Sequence, residues 1–162
     1  MSYQVLGLYE HFAEQACGYV VKMDDDVILR IPMLLDFVAS GIVARDREPA
    51  LRWFGWMESG AKPHRQGRYG VTEQQWPDSR GEYPKFAVGV VHMMTQALVK
   101  KLIAHHRTVE PLEMFSLEDI AVAIWVNTLK ASEPAIKYIE ERRLGSFFFF
   151  FFFSKRRKKK EK

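Results

Sequence analysis

The stretch GYVVKMDDDVILR, from Gly18 to Arg30, limits the fold more tightly than any other. Tyr19, Val20, Val21 and Met23 are β-branched, aromatic or otherwise apolar, with Lys22 the one interruption, and this reads as a buried strand. Asp24, Asp25 and Asp26 follow without a spacer, and the apolar pattern resumes at Val27. Adjacent carboxylates repel one another, so a strand that ends in three of them needs something to compensate their charge.

The segments around this strand alternate in period. Val5, Leu8, Tyr9, Phe12, Ala13 and Ala16 have helical spacing, with His11, Glu14 and Gln15 outside the apolar set and Gly18 as the stop. Pro32 suits the first turn of a second helix running to Ala39 and closed near Gly41. Leu51 to Met57 predicts a strand, and Ser59 to Gly81 a long polar, Gly-rich loop or hairpin region. Tyr83 to Met94 predicts another apolar strand, containing Gly89. Thr95 is expected to cap a helix over QALVKKLIAHH, with Ala97, Leu98, Leu102 and Ile103 on its apolar face and His105 and His106 at the surface. Ser116 is expected to cap an amphipathic helix over LEDIAVAIWVNTLK, with acids in its first turn. Strands alternating with helices predict an α/β fold rather than an all-α one.

The length of 162 residues admits one domain or part of a larger one, and 48% hydrophobic content suits a packed core. The net charge of +4 is set by the end of the chain. Lys155 to Lys162 holds seven basic residues and one acid, a balance of +6, so the remainder carries −2. No domain-wide basic face argues for nucleic acid. Cys17 is the only cysteine, so no intramolecular disulfide forms. No stretch reaches the ~20 apolar residues of a membrane helix, and no signal peptide is visible. The character changes after about Arg143, dividing the chain into a domain over 1–143 and a tail over 144–162. The tail holds seven consecutive phenylalanines, Phe147 to Phe153, before the basic run, with no helical or strand period. It reads as a low-complexity extension; the alternative is an anchor at an anionic membrane surface.

Oxygen ligands suit divalent cations such as Mg²⁺ and Mn²⁺. In a continued strand, Asp24 and Asp26 face the same way and Asp25 the other, so two carboxylates converge on one cation. The competing reading is a solvated acidic turn. Glu118 and Asp119 open the last helix, where acids complement the helix dipole; Asp119 could also face a metal cleft as a general base.

Several stretches, in order, carry a resemblance. YVVKMDDDV resembles the K-T-D-D-D-V stretch of the inverting β-1,3-glycosyltransferases, the β-1,3-galactosyltransferase and fringe-like family. YPKFAVGVVHMMT is similar to that family's Y-P-x-Y-x-x-G-x-x-Y-x-x-S segment, matching at Tyr83, Pro84 and Gly89, with Phe86, His92 and Thr95 replacing Tyr, Tyr and Ser. LEDIAVAI resembles its E-D-V-y-V-G motif, with Ala123 in place of the glycine, and KPHRQGRYGVT its K-P-x-R connector. SYQVLGLYEHFAEQAC resembles the helix before its metal motif, so the likeness spans about Ser2 to Lys130.

The resemblance implies a partial GT-A domain, a Rossmann-like α/β sheet that binds a UDP-sugar, with its early strands and an N-terminal membrane anchor upstream of residue 1. It implies a metal-dependent hexosyltransferase that moves galactose or an N-acetylhexosamine to a glycan hydroxyl in β-1,3 linkage, with inversion, in protein glycosylation on the lumenal side of the Golgi membrane. Asp26, with Asp24, would hold Mn²⁺ or another divalent cation; Asp24 and Asp25 would serve the nucleotide-sugar; Asp119 would be the catalytic base. Lys22, Trp56, Arg65, Tyr83 and Glu118 are further candidates for substrate binding, and Trp53 for a place in the cleft. The family's distal metal-binding histidine has no counterpart after His106. The implied partners are a UDP-sugar donor and a glycan or glycoprotein acceptor. The alternatives are an inactive fragment of this family and a basic-tail protein that binds membranes or nucleic acid.

Overall fold

The computed structural model describes residues 2–25, 27–39 and 50–142, and the backbone of 148–150. Helix α1 (Ser2–Ala13) leads into strand β1 (Tyr19–Met23), a short β2 (Val27–Leu29) and α2 (Ile31–Ala39). Strand β3 (Arg52–Glu58) is followed by a long loop with one 3₁₀ turn at Asp78–Arg80, then β4 (Phe86–Thr95), α3 (Gln96–Thr108), α4 (Glu118–Ser132), β5 (Lys137–Glu140) and β6 (Phe148–Phe150).

Four strands form one sheet in the order β1-β4-β3-β5, with β4 antiparallel to both β1 and β3, and β5 parallel to β3. The period-2 alternation of the strands sorts side chains onto two faces. Val20, Trp53 and Met94 join a large core with α1, α3 and α4. Phe54, Val91 and Met93 join a smaller core with Val27 and with Phe37 of α2. The result is the mixed α/β architecture expected of a partial GT-A-like domain.

Several local expectations are corrected. β1 ends at Met23, and the chain turns at once: the Asp24 N–H donates to Val90 O at 3.1 Å, and Asp25 lies in the turn. Strand alternation therefore does not run through the aspartates. Thr95 caps nothing with its side chain; its Oγ1 instead accepts the Arg52 N–H at 3.1 Å, tying β4 to β3. Leu117, not Ser116, is the N-cap of α4, without a side-chain hydrogen bond. That helix is not amphipathic: Ile120 through Val126 are all buried, because the sheet and the α1–α3 pair enclose it. The tandem histidines are not surface groups. The His105 side chain is 10% exposed, and His106 Nδ1 accepts the Leu112 N–H at 2.9 Å. The phenylalanine run, read as lacking a strand period, supplies β6, which pairs antiparallel with β2.

Candidate active site

Residue parity in β1 brings Lys22 to the same face as Val20, toward the N-terminus of α4. Its Nζ donates to Asp24 Oδ1 at 2.6 Å and to Gly89 O at 2.8 Å, and lies 2.9 Å from Glu118 Oε1. An ammonium has three protons, and three acceptors surround this one. Burial works against the charge, but Asp24 and Glu118 more than offset it and raise the Lys22 pKa. Lys22 thus joins the end of β1, the middle of β4 and the start of α4.

Asp119 stands beside this group. Its Oδ1 accepts the Ile120 N–H at 2.9 Å. A Cβ added at Gly89 would come within 3.4 Å of Asp119 Oδ2, so the absent side chain there leaves the carboxylate its place over β4. Burial raises the proton affinity of Asp119, against the pull of the Ile120 N–H and of Lys22. Burial likewise raises that of Glu118, with Lys22 opposing. A carboxylate held at higher proton affinity accepts a proton more readily, as a general base must.

Lys22, Asp24, Tyr83, Glu118 and Asp119 line one cleft of about 530 Å³ between the sheet, the start of α4 and the β3–β4 loop. Four of the sequence candidates do not line it. Trp56 is 48% exposed, and the Arg142 guanidinium lies 5.9 Å from its ring centroid. Arg65 is turned into its own loop, donating to Val71 O at 3.1 Å and Trp76 O at 3.0 Å and pairing with Glu73 and Asp78. Trp53 is wholly buried core. Asp25 is exposed in the turn, and Asp26 lies outside the described residues.

Sequence reasoning passed over Lys62, His64 and Arg68, which line the cleft from the loop. Their signal was present in KPHRQGRYG, but the motif drew attention to Arg65, the one cation of the stretch engaged inside the loop. Reasoning from pattern also missed buried His92, whose Nε2 lies 2.7 Å from Tyr9 Oη beneath Lys22.

The donor chemistry fits a hard divalent cation. Asp24 Oδ1 is engaged by Lys22, while its side chain is 43% exposed toward the cleft, leaving an oxygen for a ligand. Among the described residues no three His, Cys, Asp or Glu side chains gather into a metal cluster.

Comparison with known proteins shows the family. The galactosyltransferase family model matches residues 6–136. Hydroxyproline O-galactosyltransferase GALT6 of Arabidopsis thaliana is 27% identical over 145 residues, which is 89% of this chain and 20% of that protein. GALT2 of the same plant, also a hydroxyproline O-galactosyltransferase, is 27% identical over 120 residues, covering 74% of this chain and 16% of the relative. Beta-1,3-galactosyltransferase 4 of Homo sapiens is 25% identical over 141 residues, covering 70% and 36%. The chain thus spans a minor part of the length of these relatives. The family match takes in β1, the Gly89 strand and the start of α4, the three elements that meet at the cleft, and the chain belongs to the galactosyltransferase family.

Proposed function

We propose that this chain carries the catalytic face of an inverting, metal-dependent hexosyltransferase that moves galactose or an N-acetylhexosamine from a UDP-sugar to a glycan hydroxyl, forming a β-1,3 linkage. One observation carries the reading. Asp24 and Asp119, far apart in sequence, line the same cleft, with Lys22 bonded to one and close to the other. The relatives' names, hydroxyproline O-galactosyltransferase and beta-1,3-galactosyltransferase, support the same transfer and a glycoprotein or glycan acceptor.

In this reading Asp119 takes the proton of the acceptor hydroxyl. The freed oxygen bonds to the anomeric carbon of the donor as the bond from that carbon to the diphosphate oxygen breaks. The electron pair leaves on UDP, and attack from the opposite side inverts the centre. Asp24 and Asp26 would hold the divalent cation, Mn²⁺ by preference, which would supply Lewis-acid stabilisation of the diphosphate. Lys22 fixes Asp24 and Glu118 in place, and Gly89 leaves Asp119 room. The Golgi lumen, where the family's glycan substrates are built, is the compartment this reading assigns.

The test is Asp119→Asn in the chain with its natural flanking sequence. Turnover with UDP-galactose should fall by about 10²–10⁴-fold, with Mn²⁺-dependent UDP binding retained. Asp26→Ala should lose that binding. Turnover that survives both substitutions would reject the site.

A further inference from the structure

The β3–β4 loop brings three basic side chains, Lys62, His64 and Arg68, to the same cleft as Asp24 and Asp119. The loop is held by its own bonds. Val71 N–H donates to His64 O at 2.7 Å, and Gly70 N–H to Gly67 O at 3.1 Å. Gly67 has φ +84°, the left-handed conformation that glycine adopts without strain, and it turns the chain just before Arg68. Arg65 ties the base of this turn to Val71 and Trp76.

The cations of this region divide into two sets. Lys22 is matched by Asp24 and Glu118, Arg65 by Glu73 and Asp78, and Arg80 by Glu113. Lys62 and Arg68 have no carboxylate partner among the described residues; the Arg68 guanidinium only overlies the neighbouring Tyr69 ring at 5.5 Å. Tyr83, 7% exposed and lining the same cleft, has no hydrogen-bond partner for its Oη among the described residues. Glu58, at the root of the loop, is the acid on that side. The cleft is therefore polarised. Its sheet-and-helix wall offers acids, and its loop wall offers cations without a carboxylate partner among the described residues. A ligand with an anionic part and a hydroxyl-bearing part matches both walls.

We infer that Lys62 and Arg68, flanking His64, form a clamp for the diphosphate of the nucleotide-sugar donor, an inference that rests on the donor reading above. A guanidinium grips phosphate oxygens by two parallel hydrogen bonds, and an ammonium adds a point charge. The clamp matters most in the transition state. As the anomeric carbon–oxygen bond breaks, the electron pair and its added negative charge settle on the diphosphate. Cations already held there stabilise that charge without rearranging.

The experiment titrates inorganic pyrophosphate, UDP and uridine separately into the full 162-residue chain, once with EDTA and once with Mn²⁺. Parallel titrations use Lys62→Ala/Arg68→Ala and Lys62→Gln/Arg68→Gln. Both residues are exposed, so each variant should keep the parent's thermal transition. Both anions should bind about tenfold or more weakly to the variants, with uridine unaffected. Pyrophosphate bound through the pair, with no UDP bound even with Mn²⁺, would keep the clamp and reject the donor reading. UDP bound equally by parent and variants would overturn the clamp and leave the donor reading standing. Neither anion bound by the parent would overturn the clamp.

Discussion

Lys22 shows how one residue can serve the fold and the site together. A lysine in the middle of an apolar strand costs stability unless its charge is met, and here Asp24, Glu118 and the Gly89 carbonyl meet it. Lys22→Met keeps the length of the side chain and removes the charge. It leaves Glu118, with a side chain only 12% exposed, facing Asp24 and Asp119 with no cation between them. The expected loss is about 2–3 kcal/mol, below the usual cost of breaking a fully buried pair because Asp24 is partly solvated. Urea unfolding measures it as a lower midpoint, and an unchanged midpoint would remove Lys22 from this role. Asp119 makes the opposite case. Burial raises its proton affinity, so the native state prefers the protonated form and loses stability as pH rises above the ordinary aspartate range. Asp119→Asn removes that charge while keeping an oxygen for the Ile120 N–H. At neutral pH it should melt a few degrees higher than the parent while losing turnover, a trade common at catalytic carboxylates. A lower melting temperature would show that the charge is not a cost to the fold.

Elements whose own composition decides their structure were legible in the sequence. β1 is rich in β-branched and aromatic residues, and it falls at the predicted Tyr19–Met23. What failed was any inference that needed a neighbouring element. The spread of Asp24 and Asp26 along a strand assumed that β1 continues, but the chain bends where Asp24 bonds to Val90. Thr95 carries a capping side chain, yet β3 claims it. α4 was expected to leave one face in water, and tertiary packing covers it. At the cleft, Asp24 and Asp119 could be proposed from motifs, but the loop cations could not, because only the folded turn shows which of them face inward. β3 holds a further constraint that no pattern announces. A Cβ at Gly55 would lie 2.7 Å from the Ala87 Cβ and 3.4 Å from that of His92, next to the register shift between Gly55 and Met57. Gly55→Ala should therefore cost about 1–3 kcal/mol by overpacking the β3–β4 interface. Adding Ala87→Gly should recover part of that loss in thermal unfolding. If the second substitution only worsens it, the clash is not the cause.

For the whole molecule, the sheet with a core on each face links the site to global unfolding, and pH exposes the link. His92 lies in the large core, 1% exposed, with Tyr9 Oη at 2.7 Å and the Trp53 ring at a perpendicular angle. Burial, reinforced by the Lys22 charge, lowers its pKa from 6.5 to about 3. The unfolded chain therefore takes up a proton at His92 below about pH 6.5, and the native chain does not until near pH 3. The stability this gives is complete above pH 6.5 and drains away as pH falls toward 3, at up to about 1.4 kcal/mol per pH unit. Glu118 and Asp119 act in the other direction, because burial makes the native state the better proton acceptor at both. Both carboxylates remain when His92 is replaced, so the difference between parent and variant isolates His92. His92→Gln keeps an acceptor for Tyr9 and removes the titration. Between pH 7 and 5 the melting temperature of the parent should fall relative to that of the variant. Equal slopes would mean that His92 is protonated in the native core, which would place a cation against Lys22 and contradict the packing between Tyr9 and Trp53.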